Sequence, residues 1–596
     1  MKRITIPITL RVQGPILTKS SSMGALGLDA VMARRKFETE MGGVATRYYL
    51  PGRLVKGLVL EAWQELSTMD ASFGGLASEW FGNASPRESD DRPVRGRLAF
   101  GDFADWGSNV DAEFAPRYRI AVDEVRGAAA GQMMQMMESP YGSGQLVDFE
   151  GEARFVAADG EEPEGIRGAL ERGLLWIEAV GGTRTSGFGQ LIEVKVGATT
   201  TQPAMFEASP DTSAWDLRLR FREPVVFSKR RIVDNLFESG EIIPGGALKG
   251  AVAEMAGRES AAFPELLDEL HAIRFSHALP AERGGPRPRQ WPLSLLAFSE
   301  TDVVNAIRRA TPYVRTAQAA TPDAEQRANA GVFDIDWKDE VREKVERDYG
   351  WPKLKWELRV RTGVDSAKRK AEDERLFAWK MLLPYEVEWI ARVDVSRASK
   401  AARQQLEGLL RFGLEPLGKT KALAEATLTA AEPAAAGEGP YVVTLQTPAL
   451  LIDPGRHLAP GGKNGSAREE DLEREYQDVW QELSEGSLRM ASYFQRCTLA
   501  GGEYFRRRFL GKDAQYKPYL LSSEGSTFLL EPASGEENAA RAYLDSWLRS
   551  GLPLSRSVRT FYRIPDEPKI QWAHCPYVPE NGYGEIAVND RSYPEE

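Results

Sequence analysis

The chain has 596 residues, 42% hydrophobic and 27% charged, with a formal net charge of -11. This is the composition of a folded soluble protein, too long for one ordinary domain. Cys497 and Cys575 are the only cysteines, which excludes a thiolate zinc centre and argues against a disulfide framework. No apolar run approaches a membrane span, and Met1-Lys2-Arg3-Ile4 leads into a strand pattern instead of a signal peptide. The expectation is a cytoplasmic protein with no membrane partner. Net acidity disfavours nonspecific nucleic-acid binding and leaves contacts to local patches. The candidates are Arg34-Arg35-Lys36, Ser228-Lys229-Arg230-Arg231 and Arg506-Arg507-Arg508.

In residues 1–200, Ile4, Ile6, Ile8, Leu10 and Val12 alternate with polar residues, which predicts a half-buried strand. A Gly/Ser/Met-rich loop runs from Thr18 past Asp29 to Lys36. Tyr48-Tyr49-Leu50-Pro51-Gly52-Arg53-Leu54-Val55-Lys56-Gly57 then opens a helix with Val55, Leu58, Val59, Ala62 and Trp63 on one face. Residues 97–102 and 117–123 read as short strands, and Met133–Met137 as core filler or a soft contact surface. Leu174–Val180 reads as strand-like. It is followed by the glycine loop Gly181-Gly182-Thr183-Arg184-Thr185-Ser186-Gly187-Phe188-Gly189 and a last alternating strand.

Residues 197–213 read as a linker. Trp215, Leu217, Leu219 and Phe221 then restart the alternation, and Ile243-Pro244-Gly245-Gly246-Ala247-Leu248-Lys249-Gly250 repeats the Pro-Gly element. Ile273 to His277 sits where Leu98 to Asp102 sat before, and Arg359–Asp365 parallels Arg117–Asp123. A charged, helix-prone insertion lies near 302–350. The second segment, 214–430, closes at Leu417-Gly418-Lys419 with most glycines lost. After an Ala/Pro/Gly stretch at 430–440, Tyr441, Val443 and Leu445 begin a third, diverged segment, 440–596. It contains a loop from Asp453 to Asp471 and ends with Gly582-Tyr583-Gly584 before a last strand.

A repeated element changes the fold expectation. Pro-Gly marks a turn, and the residues after it read as a first helical turn, whose unpaired N–H groups favour anions. A lysine one turn in adds a charge suited to phosphate. The alternative is a plain helix start with its lysine in solvent. Neither copy is a Walker A loop. Strand, helix, strands, glycine loop and strand predict an α+β class: tandem ferredoxin-like or RRM-like domains with insertions.

The two Pro-Gly elements and the glycine loop together resemble the RAMP superfamily of CRISPR-associated proteins. The first segment resembles a backbone subunit of a type III effector complex. The second and third together resemble the two-unit RAMP proteins of the type III-D group, which are similar to the subunit seating the crRNA 5′ end. The resemblance implies crRNA and target RNA as partners, together with other effector subunits. It makes Arg34, Arg35, Arg53, Lys56, Arg184, Phe188, Lys229, Arg230 and Lys249 candidates for RNA contact, with Phe188 either stacking on a base or packing under its loop. Cleaving members carry an aspartate in the loop before the Pro-Gly element, and Asp29 matches that position. The implied role is metal-assisted cleavage of target RNA with Mg²⁺ or a similar divalent ion. Asp234 fits the cleaving pattern poorly. The histidines, His271, His277, His457 and His574, all lie outside the first loop, which disfavours crRNA maturation. The competing expectation is a non-catalytic crRNA-binding scaffold or 5′-handle-binding subunit.

Overall fold

The structure is a computed structural model of the full chain. It describes residues 2–18, 28–39, 43–83, 94–107, 110, 116–122, 125, 129–157, 160–203, 213–233, 235–258, 260–297, 303–308, 339–365, 370–431, 434–457, 469–502, 518–590 and 592–594. Its class is the expected α+β: among the described residues, three main antiparallel sheets packed with helices, together with smaller sheets and hairpins.

The first module starts with β1 (Lys2–Gln13), whose inward side chains Ile4, Ile6, Ile8, Leu10 and Val12 are all buried. A hairpin of β2 (Arg34–Glu38) and β3 (Val44–Leu50) leads into helices α1 (Gly52–Leu66) and α2 (Ser72–Phe81). Short strands β4 (Ala99–Phe100) and β5 (Phe103–Ala104) precede a hairpin of β6 (Arg117–Val122) and β7 (Ala129–Met137). Strand β8 (Leu146–Ala157), helix α3 (Pro163–Leu175) and strands β9 (Gln190–Val196) and β10 (Thr200–Pro203) complete it. In the sheet β1 lies between β9 and β8, and β4 and β5 pair with β8. With β4 and β5 counted as the second strand, the spatial order is fourth, first, third, second.

Helix α1 forms where its apolar spacing predicts, and buries Val55, Leu58, Val59, Ala62 and Trp63. The Trp63 indole sits edge-on to Phe73 and Phe81 and donates to the Ala169 carbonyl on α3 at 3.0 Å. Gly173 makes room for it, since a Cβ there would lie 2.4 Å from the indole nitrogen. Truncating so large a buried ring costs about 3–5 kcal/mol. Two expectations are corrected here. The run expected as a strand from Leu174 begins as the last two residues of α3, because Ile166, Ala169, Leu170 and Leu174 share the helix face turned to the core, and beyond the helix only Ala179 makes a single bridge, to Gln190. Part of the expected linker is a strand, since β10 pairs with the start of β1.

The second module repeats the plan. Strand β11 (Ala214–Phe221) is followed by β12 (Phe227–Val233), β13 (Leu236–Gly240) and helix α4 (Gly245–Arg258). Strands β14 (Arg274–Phe275) and β15 (Leu279–Glu282) precede a long pair, β16 (Lys355–Asp365) and β17 (Lys370–Leu383). Strand β18 (Val387–Asp394), helix α5 (Lys400–Leu410) and strands β19 (Leu414–Leu417) and β20 (Ala422–Ala430) follow. Here β11 lies between β20 and β18, with β14 and β15 beyond β18, so the order is the same. Within the charged insertion, Asp339–Asp348 is helical, and 309–338 lie outside the described residues.

In the third module β21 (Tyr441–Leu445), helix α6 (Glu469–Leu483) and β22 (Leu488–Phe494) are followed by a hairpin of β23 (Cys497–Ala500) and β24 (Tyr519–Ser522). Strand β25 (Thr527–Pro532), helix α7 (Glu537–Ser550) and β26 (Ile586–Val588) end it. The sheet order β22-β25-β21-β26 again places the first strand between the third and fourth. In the expected loop from Asp453 to Asp471, Pro454–His457 is helical, α6 begins at Glu469, and 458–468 lie outside the described residues.

The chain packs as two compact bodies. One holds Met1–Met205 with Arg230–Glu238 and Trp356–Met381; the other holds the remainder. The second and third modules share the latter because they share a core. Leu293, Leu295, Val303, Val304 and Ile307 pack with Val442, Phe494 and Leu529.

Candidate nucleic-acid interface

The candidate site of the first module gathers at the end of β1. There the glycine loop folds back on the chain that leaves the strand. Gly182 N–H donates to the Leu17 carbonyl at 2.7 Å, and Gly189 N–H donates to the Pro15 carbonyl at 2.8 Å. Gly181 and Gly189 have φ of +91° and +65°. A Cβ on Gly189 would stand 1.9 Å from the Val180 oxygen. Only glycine tolerates both demands. The turn between them, Arg184–Ser186, is exposed, so the Arg184 guanidinium faces solvent. Phe188 packs against Leu17, Ala30 and Met137, the second of its two expected placements.

The same closure occurs in all three modules. Lys419 N–H, after Gly418 with φ of +66°, donates to the Val226 carbonyl at 2.8 Å. Gly584, with φ of +68°, donates to the Pro448 carbonyl at 2.9 Å. A left-handed glycine before the last strand thus joins it to the exit of the first.

Asp29 lies beside the first of these closures. Its N–H donates to the Met136 carbonyl at 2.8 Å, and its Oδ2 accepts from the Met136 N–H at 2.7 Å. Ala30 bridges Met137 in parallel, so the loop runs as a short extra strand along the end of β7. The residue is exposed. Three residues later Met32 N–H donates to Glu138 Oε2 at 2.7 Å, and the Thr18 hydroxyl donates to the Tyr49 carbonyl at 2.9 Å. The methionine cluster divides here: Met137 is buried and Met134 exposed. No three His, Cys, Asp or Glu side chains gather as a metal-ligating group among the described residues. Asp29 would therefore be a lone protein ligand, with Oδ1 free of any partner among the described residues. That donor set fits a hard cation that keeps water and substrate phosphates in its shell.

The Pro-Gly elements have an internal occupation that the sequence reading did not foresee. In the first, Gly52 N–H at the start of α1 donates to Asp102 Oδ1 at 2.8 Å. A Cβ on Gly52 would lie 2.2 Å from the Gly101 carbonyl. In the second, Gly245 N–H donates to His277 Nδ1 at 3.2 Å, and a Cβ would lie 2.0 Å from the Phe275 carbonyl and 2.6 Å from that of Asn581. In both, glycine lets the helix start press on the second core strand, and the residue ending that strand caps it. The positional match of Asp102 and His277 was the signal for this in the sequence.

The two motif lysines differ. Lys56 is half-buried and donates to the Leu98 carbonyl at 2.8 Å, with Phe81 5.6 Å away. Lys249 is buried, and desolvation pushes its pKa down to about 8, against the pull of Glu580. Among the described residues its Nζ has no hydrogen-bond partner, and Glu580 Oε2, also buried, has none. A surface role for Lys249 is corrected on this ground: a buried ammonium does not reach an RNA phosphate.

The remaining basic candidates also separate. Arg34 is exposed and pairs loosely with Glu138 at 3.5 Å. Arg35 is buried, pairs with Asp102 at 2.8 Å and lies 3.7 Å over the Phe37 ring, so it is a core residue and not an RNA-facing one. Arg53 is exposed. Lys229 and Arg230 lie on β12, and their side chains are outside the described residues, as are Asp234 and Arg506–Arg508. Arg359 on β16 was not singled out. It lies 6.0 Å over Tyr49 and pairs with Glu357 at 2.5 Å, which adds a guanidinium beside Arg53 and the first Pro-Gly element.

His277 is a packed core residue. It is buried, edge-on to Tyr583 at 4.7 Å, and burial pushes its pKa down to about 4. Arg274 and Arg287 flank it. Arg274 donates to the carbonyls of Pro579 and Arg549 at 3.1 and 3.2 Å, and Arg287 grips Glu585 with two bonds of 2.7 and 2.9 Å. The Gly-Tyr-Gly loop of the third module therefore closes over the second Pro-Gly element.

No helix among the described residues is long and apolar enough to cross a membrane. No family model matches the chain. No curated protein matches it either. Among solved structures, it is similar to a chain of a type IV-B CRISPR complex, at a TM-score of 0.22 and 13% identity over 35% of this chain and 94% of that one. It is also similar to a chain of the type III-B Cmr-beta complex bound to cognate target RNA and AMPPnP, at 0.29 and 12% over 53% and 86%. A third likeness is to a chain of Cmr-beta bound to cognate target RNA, at 0.21 and 17% over 33% and 60%.

Proposed function

We propose that this chain is a subunit of a type III CRISPR RNA-guided effector complex. In this reading it binds crRNA alongside other effector subunits, and its first module cleaves the paired target RNA. The supporting fold is three modules with the strand order of a ferredoxin-like unit, two of them with the Pro-Gly element. The observation that carries the catalytic part is Asp29, an exposed carboxylate held by Met136 beside the first glycine loop.

The reaction class is transesterification: a target 2′-hydroxyl attacks the adjacent phosphorus and the 5′-oxygen leaves. Asp29 Oδ1 is the atom that would hold a divalent ion, with phosphate oxygens and water completing its shell, and the ion would supply charge neutralisation at the cleaved phosphate. The chain's own residues bind and orient. Arg184 offers a guanidinium to a phosphate, Arg34 and Arg53 add positive charge, and Glu138 and Met136 keep the Asp29 loop in place.

The test is Asp29→Ala in complex purified with its operon partners. Guide RNA should co-purify as before while target cutting falls at least about 100-fold. Cutting at every site at the original rate rejects the assignment. A scaffold role suits the second and third modules, because Lys249 and the second Pro-Gly element are buried where those modules meet.

A further inference from the structure

We propose that Glu138 is a positioning residue for Asp29, one that locks the Asp29 loop to the base of the β6–β7 hairpin. The inference rests on the catalytic reading of Asp29 and deepens it.

Glu138 is 1% exposed, and a carboxylate in such a place is tolerated only when its oxygens are satisfied. Oε2 accepts from Met32 N–H at 2.7 Å. Oε1 accepts from the Tyr48 hydroxyl at 3.3 Å and faces Arg34 Nη1 at 3.5 Å. Its own N–H donates to the Ala30 carbonyl at 2.8 Å. Two residues earlier, Met136 makes both bonds to Asp29. The loop from Asp29 to Met32 is thus pinned at both ends to one stretch of chain, Met136–Glu138.

The Met136 contacts are exposed and compete with water, whereas the Met32–Glu138 bond is buried. A buried N–H without an acceptor is costly. Remove the Glu138 carboxylate, and the loop satisfies Met32 N–H only by shifting toward solvent. Asp29, three residues away, shifts with it. A displacement of about 1 Å at a reacting group costs about 100-fold in rate. Glutamine at this position keeps a carbonyl oxygen for Met32 N–H; alanine keeps nothing.

The experiment uses the assembled complex with Glu138→Ala, Glu138→Gln and Asp29→Ala. Single-turnover target cutting is measured at saturating target, with target affinity in parallel and amide exchange at Asp29 and Met32. Glu138→Ala should cut at least about 10-fold slower with affinity within 2-fold, and Met32 exchange should rise at least about 10-fold. Glu138→Gln should restore cutting to within about 3-fold and restore Met32 protection. Should Glu138→Ala cut normally while Asp29→Ala does not, the positioning role is wrong and the catalytic reading survives. If Asp29→Ala cuts normally, the catalytic reading fails. The exchange at Met32 then decides alone: unchanged exchange in Glu138→Ala overturns the hold on the loop.

Discussion

The two Pro-Gly elements share a backbone and differ in almost everything attached to it. In the first, a carboxylate, Asp102, caps α1 and also pairs with the buried Arg35. In the second, a neutral imidazole, His277, caps α4. Lys56 is half-buried and satisfied by a carbonyl, whereas Lys249 is buried near Glu580 with no hydrogen bond among the described residues. Proline and glycine meet a steric demand common to both copies: the helix start must press on the second core strand. The polar residues answer to what lies outside, and here that is a joint with the third module in one case only. A motif can therefore repeat for a packing reason while its charged members take up unlike roles.

The comparison is sharpest at the caps. Asp102→Ala removes the cap and leaves Arg35 buried without its carboxylate, at a cost of about 3 kcal/mol. His277→Leu loses a neutral acceptor while keeping most of the buried volume and costs about 1 kcal/mol. Urea unfolding of the full chain should rank the two in that order; equal losses would mean the charge of the cap is irrelevant.

Next in size is a pH effect confined to the second element. Burial holds His277 at about 4, against 6.5 for an ordinary imidazole, with Arg274, Arg287, Glu585 and Tyr583 as the groups around it. Between those values the unfolded chain takes up a proton that the folded chain refuses. The contribution is complete above pH 6.5 and is lost as pH falls through 4, amounting to about 3 kcal/mol at most. Thermal unfolding of the second body should lose stability over that interval. His277→Asn should flatten the loss, and an unaltered slope would place it on other groups.

The lysines give the smallest effects, with opposite signs. Lys56→Met forfeits the bond to the Leu98 carbonyl and should destabilise by about 1 kcal/mol at pH 7. Lys249→Met removes a desolvated charge and should be neutral or stabilising by a similar amount. In the wild-type chain the folded Lys249 sheds its proton near pH 8, before the unfolded one does at 10.5, so stability should rise across that range and the variant should not follow it. A loss of stability in Lys249→Met would show that Glu580 depends on it.

Much of the framework was legible from side-chain period. The opening strands of the first two modules alternate because one face of each is buried, and β1 and β11 show it residue by residue, whereas β21 is buried on both faces. The face of α1 follows the same logic at helical spacing. The glycine loops were legible too, since Gly189 and Gly584 sit at left-handed turns that other residues adopt only under strain. What misled was continuity. Leu174–Val180 is apolar but for Glu178 and looks like a strand, but Leu174 completes the buried face of α3.

The sequence by itself determined the α+β class, the opening strands and the turns, because these depend on local period and on backbone sterics. Tertiary structure alone decided which charges are available. Arg184, Arg34 and Arg53 remain at the surface, while Arg35 and Lys249 are enclosed by chain far from them in sequence. It also decided that Glu138, one acid among many in the sequence, stands behind the Asp29 loop. Burial and partnership are properties of the assembled core, and no local pattern of residues encodes them.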